Sequence, residues 1–230
     1  MNAKVHQFHN KNDLADQLAR RICQQLEEAV EQRGEAFLVV SGGSTPLPLF
    51  QRLSVQILPW AKITVLLADE RWVPTHDTAS NEKLVKENLL QNLAASAKFI
   101  SLRTEFDDIE QAIDAVNTQV GKLPTFDVVI LGMGDDGHTA SLFPCSAELA
   151  EGLTTENAAL AVYPTTAPHA RVSLSKARLL NTRQVFLHLV GQAKQKVLTQ
   201  AMRKDSQLPI SEFLFREHVP VDVMLALPKE

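Results

Sequence analysis

Cysteine is almost absent: Cys23 and Cys145 are the two in 230 residues. Two thiols allow one bridge at most, and their separation fits no zinc or redox motif, so a disulfide scaffold is excluded. A reducing, cytoplasmic setting with both thiols free is the expectation. Long apolar runs are missing too, with nothing near the ~20 residues that span a bilayer. The opening "MNAKVHQFHNKND" has no apolar core of a signal peptide. Positive charge is not in excess: the net charge is −4, so no global field favours nucleic acid or anionic membranes. Repeats, low-complexity tracts and flexible linkers are lacking, and one α/β domain over residues 1–230 is expected. Three catalytic signatures are also missing. There is no Gly-Lys-Ser/Thr ending of a Walker loop, no G-x-S-x-G elbow, and no second His or Cys spaced to complete a metal site.

What is present is ordinary globular chemistry, 45% hydrophobic and 22% charged, in alternating strand and helix patterns. "NDLADQLARRICQQLEEAVEQRG" carries Leu14, Leu18, Ile22 and Leu26 at helical spacing, with Asn12 as cap and Gly34 as stop. "AFLVV" (36–40) and "KITVLLA" (62–68) read as buried parallel strands. A helix is expected to begin at Pro46, and Ser80 to cap "NEKLVKENLL". Ile109, Ile113, Val116 and Val120 share one helical face. "FDVVIL", "ALAVY", "RQVFLHLV" and "VDVMLAL" are further strands, the last two separated by a helical "QAKQKVLTQAMRK". This alternation predicts an α/β fold with a mainly parallel central sheet flanked by helices. Ligands of such sheets bind beyond the C-terminal strand ends. Three strands here run into polar loops: "VVSGGSTP", "LLADERWVP" and "VILGMGDDGHTASLFP".

The third loop contains G-x-G-x-x-G at Gly132, Gly134 and Gly137. A dinucleotide turn brings pyrophosphate onto the start of a long helix. Asp135 and Asp136 would put negative charge in that space, and Pro144 leaves room for little more than one turn. The match is read as coincidental, the glycines serving to turn the chain tightly and present Asp136 and His138. The competing reading is a plain turn with solvated acids.

"SGGSTP" suits a phosphate. Gly42 and Gly43 allow close approach, Ser44 and Thr45 add hydroxyls, and the following helix start offers free N–H groups. An ordinary helix cap explains the same residues equally well. Arg171 and Lys194 are the candidate cations, with Lys196 and Arg178 as competitors. His138 is the candidate general base among seven histidines. His188, inside an apolar strand pattern, is read as structural, and His169 and His76 are weaker candidates. Asp69 or Asp136 would orient the base. In extended chain Asp69 and Arg71 share a face and Glu70 points away, where it is expected to form a supporting ion pair.

Together "SGGSTP", "ADERWVPTHDTASN", "LGMGDDGHTASLFP", "ARVSLS" and "GQAKQKVL" resemble, in order, the 6-phosphogluconolactonase family. Its broader group includes glucosamine-6-phosphate deaminase and ribose-5-phosphate isomerase. The resemblance implies a modified Rossmann-like fold with a few extra strands and hydrolysis of a phosphorylated sugar lactone without metal or redox cofactor. It implies that His138 is the base, that Ser44, Thr45, Arg171 and Lys194 hold the phosphate, and that Asp69 and Arg71 line the sugar end. The deaminase relatives carry an "FNEP"-like carboxylate after the loop histidine, where this chain has Leu142 and Phe143. A sugar-phosphate sensor without catalysis is the remaining rival. The oligomeric expectation is a monomer or homodimer.

Overall fold

The computed structural model describes residues 3–215 and 218–227. Its strands are β1 (Ala3–Phe8), β2 (Ala36–Val40), β3 (Ile63–Leu67), β4 (Asp69–Arg71), β5 (Lys98–Ile100), β6 (Val128–Leu131), β7 (Ala159–Val162), β8 (Arg171–Leu174), β9 (Val185–Val190) and β10 (Val221–Ala226). Its α-helices are α1 (Lys11–Arg33), α2 (Leu47–Ser54), α3 (Asn81–Asn88), α4 (Ile109–Gly121), α5 (Leu149–Thr154), α6 (Lys176–Leu180), α7 (Gln192–Ala201) and α8 (Ser211–Leu214). Seven strands pair in parallel in the order β1-β10-β9-β6-β2-β3-β5. The remaining three form a small antiparallel sheet, β4-β8-β7. This is the expected Rossmann-like α/β architecture with extra strands. "ALAVY" contributes to the small sheet rather than the parallel one.

Burial explains which segments became central. Every residue of β2, β3 and β6 is buried, as continuous apolar runs require when both faces of a parallel sheet are covered. Leu14, Leu18, Ile22 and Leu26 of α1 are fully buried and form its core-facing stripe. The helix starts earlier than Asn12. Asn10 is the N-cap, its Oδ1 accepting from the backbone N–H groups of Asn12 and Asp13, both at 2.9 Å. Gly34 ends it at φ 82°, the left-handed conformation that glycine adopts without a Cβ penalty. Ser80 caps α3 as expected, accepting from Lys83 N–H at 3.1 Å.

Strand order brings the polar loops together. β9, β6, β2 and β3 are successive neighbours, so all four of their C-terminal ends open on one edge. From β2 the chain proceeds to β3 and β5 on one side, and from β6 to β9 and β10 on the other. A crevice forms where the direction reverses. No helix among the described residues is long and apolar enough to cross a membrane.

Candidate active site

The crevice holds a cavity of about 390 Å³ at the C-terminal ends of β2, β6 and β9, a size typical of small-molecule sites. Gly42, Gly43, Ser44, Thr45, Asp69, Arg71, His138, Arg171 and Lys194 all line it. The remaining candidate, Asp136, sits directly behind His138. Its Oδ1 lies 2.5 Å from Nδ1 of the ring and also accepts the His138 backbone N–H at 3.1 Å.

The loop from Gly132 to Phe143 is not a dinucleotide turn. After β6 the chain forms turns, and the next helix, α5, starts only at Leu149. Gly134 N–H donates to the His138 carbonyl at 2.8 Å, folding the loop back on itself. A Cβ on Gly134 would fall 2.1 Å from His138 Nδ1 and 2.6 Å from Asp136 Oδ1. The glycine therefore makes room for the Asp–His pair. Phe143 closes the other side of the imidazole, ring centroids 4.1 Å apart. With Nδ1 engaged by a carboxylate, the proton is held there and Nε2 keeps the free lone pair. The ring stays partly exposed, with 29% of its side-chain area accessible, so water and ligand can reach it.

Asp69 does a different job from orienting the base. Its Oδ2 accepts from Ser141 Oγ at 2.5 Å and lies 3.9 Å from the Arg171 guanidinium. Glu70 also departs from expectation. It does not line the cavity with Asp69 and Arg71, and among the described residues it forms no ion pair, one carboxylate oxygen accepting the Arg71 backbone N–H at 2.7 Å. Its buried carboxylate accepts from the backbone N–H groups of Asn81 and Glu82, both at 2.7 Å, and from Ser80 Oγ at 3.0 Å. Glu70 thus ties the start of α3 to β4. Burial pushes its pKa up, and those hydrogen bonds oppose the shift.

The cations converge. Arg71 on β4 pairs directly with Arg171 on β8, so two guanidiniums stand on one face. Like charges opposite each other are unfavourable unless an anion joins them. Both Nε atoms are buried without a partner. Burial draws the Arg171 pKa down, and Asp69 opposes that. Assigning Arg71 to a sugar end and Arg171 to a phosphate end separates two side chains that the register places side by side. Lys194, in the first turn of α7, reaches Asp135 Oδ1 at 2.6 Å. That contact holds the Asp135 carboxyl below its usual range. The competitors drop away. Arg178 donates to the carbonyls of Val120, Leu123 and Pro124, and Lys196 is exposed outside the cavity. His169 and His76 are not among the lining residues.

The hydroxyls of "SGGSTP" are not a helix cap. The N-cap of α2 is Pro46, with no side-chain hydrogen bond to the helix start, which leaves Ser44 and Thr45 at the cavity wall. The two glycines have separate causes. Gly43 adopts φ 91°, whereas a Cβ at Gly42 would fall 1.9 Å from Asn81 Oδ1. Asn81 itself lines the cavity and donates through Nδ2 to the Asp69 carbonyl at 2.9 Å. Its place in "ADERWVPTHDTASN" was the available signal. Thr139, Met133 and His188 also line the cavity; the first two lie within "LGMGDDGHTASLFP", whereas His188, inside an apolar strand, carries no such mark. No group of three or more His, Cys, Asp and Glu among the described residues is placed to hold a metal.

Burial lowers the His188 pKa from 6.5 to about 4, so the ring is neutral in the folded protein above that value. Between pH 6.5 and 4 the unfolded chain binds the extra proton, so folding stability should fall as pH drops through this window. The loss is about 3 kcal/mol at most. Urea unfolding of wild type and His188→Leu at pH 7 and pH 4.5 checks it: the acid-induced loss should be smaller in the variant.

Residues 9–220 match the family model described as glucosamine-6-phosphate isomerases/6-phosphogluconolactonase. A protein from Pseudomonas putida named 6-phosphogluconolactonase is 37% identical over 96% of this chain and 91% of its own length. One of the same name from Rhizobium meliloti is 38% identical over 98% of this chain and 100% of its own. The crystal structure of a 6-phosphogluconolactonase from Shewanella baltica superposes with a TM-score of 0.95 at 49% identity, covering 97% of both chains. An Asp–His pair and paired arginines at one cavity are thus carried on a sequence and a backbone that agree over nearly the whole chain with one group, and the chain belongs to the glucosamine-6-phosphate isomerase/6-phosphogluconolactonase family.

Proposed function

We propose that this chain hydrolyses 6-phospho-D-glucono-1,5-lactone to 6-phospho-D-gluconate, as the names of its relatives suggest, by water attack assisted by His138. One observation carries the reading: the Asp136–His138 pair opens into the same cavity as Ser44, Thr45, Arg171 and Lys194. The anion cradle fixes the phosphate. His138 Nε2 takes a proton from water as its oxygen attacks C1, forming a tetrahedral oxyanion. The C1–ring oxygen bond then breaks, and imidazolium returns the proton to the leaving oxygen. Asp136 holds the tautomer and stabilises the imidazolium, the role a carboxylate plays in hydrolytic triads. On this reading backbone N–H groups of the glycine loop meet the oxyanion, and Arg71, the cross-strand partner of Arg171, belongs with the phosphate cradle.

The deaminase alternative needs a carboxylate just after the loop histidine. Here Leu142 and Phe143 are buried apolar residues, and Phe143 packs on the base itself. A coupled assay following 6-phosphogluconate formation, run beside a glucosamine-6-phosphate deamination assay, tests the reading. Turnover is expected in the first only, and the reverse pattern would refute it.

Gly134→Ala should act through the base. The new methyl displaces the Asp–His pair, and kcat should fall about 10- to 100-fold from misplacement alone. Of the cradle only Lys194 is tied to this loop, through Asp135, so the Kd for 6-phosphogluconate, measured by calorimetry, should change far less than kcat.

A further inference from the structure

His188 has no part in the chemistry described above. It lies on β9 with Met224 as its cross-strand partner, and it is 4% exposed. Its Nδ1 is buried without a hydrogen-bond partner. A leucine would suit such a strand position better, since an unsatisfied buried polar atom is destabilising. His188 is nevertheless among the residues that line the cavity, six residues before Lys194 and on the strand that leads into it. A polar side chain that is poor as packing, on a residue that lines a ligand cavity, gains a use when the cavity is filled.

We propose that the imidazole of His188 contacts the substrate, giving or accepting one hydrogen bond to an oxygen of the bound sugar phosphate from the cavity floor. The proposal rests on the lactonase reading for the identity of the occupant. Burial lowers its pKa to about 4, so near neutral pH the ring offers one N–H and one lone pair and no charge. That chemistry fits orientation of a hydroxyl or phosphate oxygen and does not duplicate the cations. It also separates His188 from His138, whose carboxylate partner prepares it to accept a proton.

The test uses wild type, His188→Leu and His188→Gln. In the leucine variant the KM for the lactone and the Kd for 6-phosphogluconate should rise about three- to tenfold, the loss of one neutral hydrogen bond. Its kcat should stay within about twofold and its Tm should be unchanged or higher. Glutamine, which restores a donor and an acceptor, should recover part of the affinity. In ¹⁵N-histidine-labelled protein the resonance missing from the leucine variant should shift when 6-phosphogluconate binds. Parallel titrations with inorganic phosphate and with gluconate identify the oxygen contacted: weakening of the first points to the phosphate, of the second to a hydroxyl. Unchanged KM and Kd in His188→Leu, with no shift of that resonance, would overturn the proposal. So would equal losses of affinity and Tm in both variants, which a packing role predicts. If wild type binds 6-phosphogluconate but does not hydrolyse the lactone, the lactonase reading fails while the contact is still judged by Kd and the resonance.

Discussion

His138→Ala is expected to lower kcat for lactone hydrolysis about 10³-fold, inside the range of roughly 10²–10⁴ for a positioned base, with KM changed less than about threefold. The asymmetry follows from where the ring sits. Its Nδ1 is held by Asp136 at 2.5 Å and its face by Phe143, so on the proposed mechanism it serves as a proton acceptor rather than as a grip on the phosphate. An interaction that grows only as water gives up its proton lowers the barrier without tightening the ground state. The alanine methyl leaves the loop glycines and the cradle in place. Initial rates, corrected for spontaneous opening of the lactone, check the expectation. Wild-type turnover in the variant would mean that the base is another group.

Arg171→Ala should do the opposite. KM should rise about 10- to 100-fold, from loss of a charge-assisted and bidentate contact, while kcat falls less than about tenfold. The guanidinium is buried, donates to the Pro168 carbonyl at 3.1 Å and flanks Asp69, so truncation also leaves Asp69 less well compensated. Two controls separate binding from packing. Unphosphorylated glucono-1,5-lactone should be turned over alike by variant and wild type, because it offers no phosphate to lose. Arg171→Lys should recover only part of the affinity, since a point charge does not reproduce the planar fork. An unaltered KM for the phosphorylated lactone in Arg171→Ala would move the phosphate to Lys194 and the α2 start.

The residues that sequence exposes best are those with one environment along a whole element. β2, β3 and β6 are buried on both faces and read as apolar runs, and α1 carries one stripe. β1 was missed because it is an edge strand with most positions at least partly exposed, so no run or alternation marks it. β4 and β8 were missed for a different reason. Asp69, Glu70 and Arg171 are buried although charged, because Asp69 and Arg171 border the cavity with Arg71 and Glu70 meets the start of α3. The site was legible as three loops on strand ends, since a parallel sheet must bring them to one edge. Division of labour within it was not. Asp69 and Asp136 are equivalent on paper, and only the folded loop puts one of them on the imidazole. Glu70 looked like half of an ion pair because its neighbour is an arginine, yet the helix that needs its oxygens begins eleven residues later. Asn81 and Gly42 illustrate the same limit. Their fit is a contact between distant segments, invisible along the chain.

A crystal structure of the complex with 6-phosphogluconate tests the central claim most directly. The account places the phosphate against Ser44, Thr45 and the arginine–lysine cradle, and the C1 carboxylate within hydrogen-bond reach of His138 Nε2. A product bound in the reverse sense, or lying with C1 more than a sugar's length from that nitrogen, would contradict it.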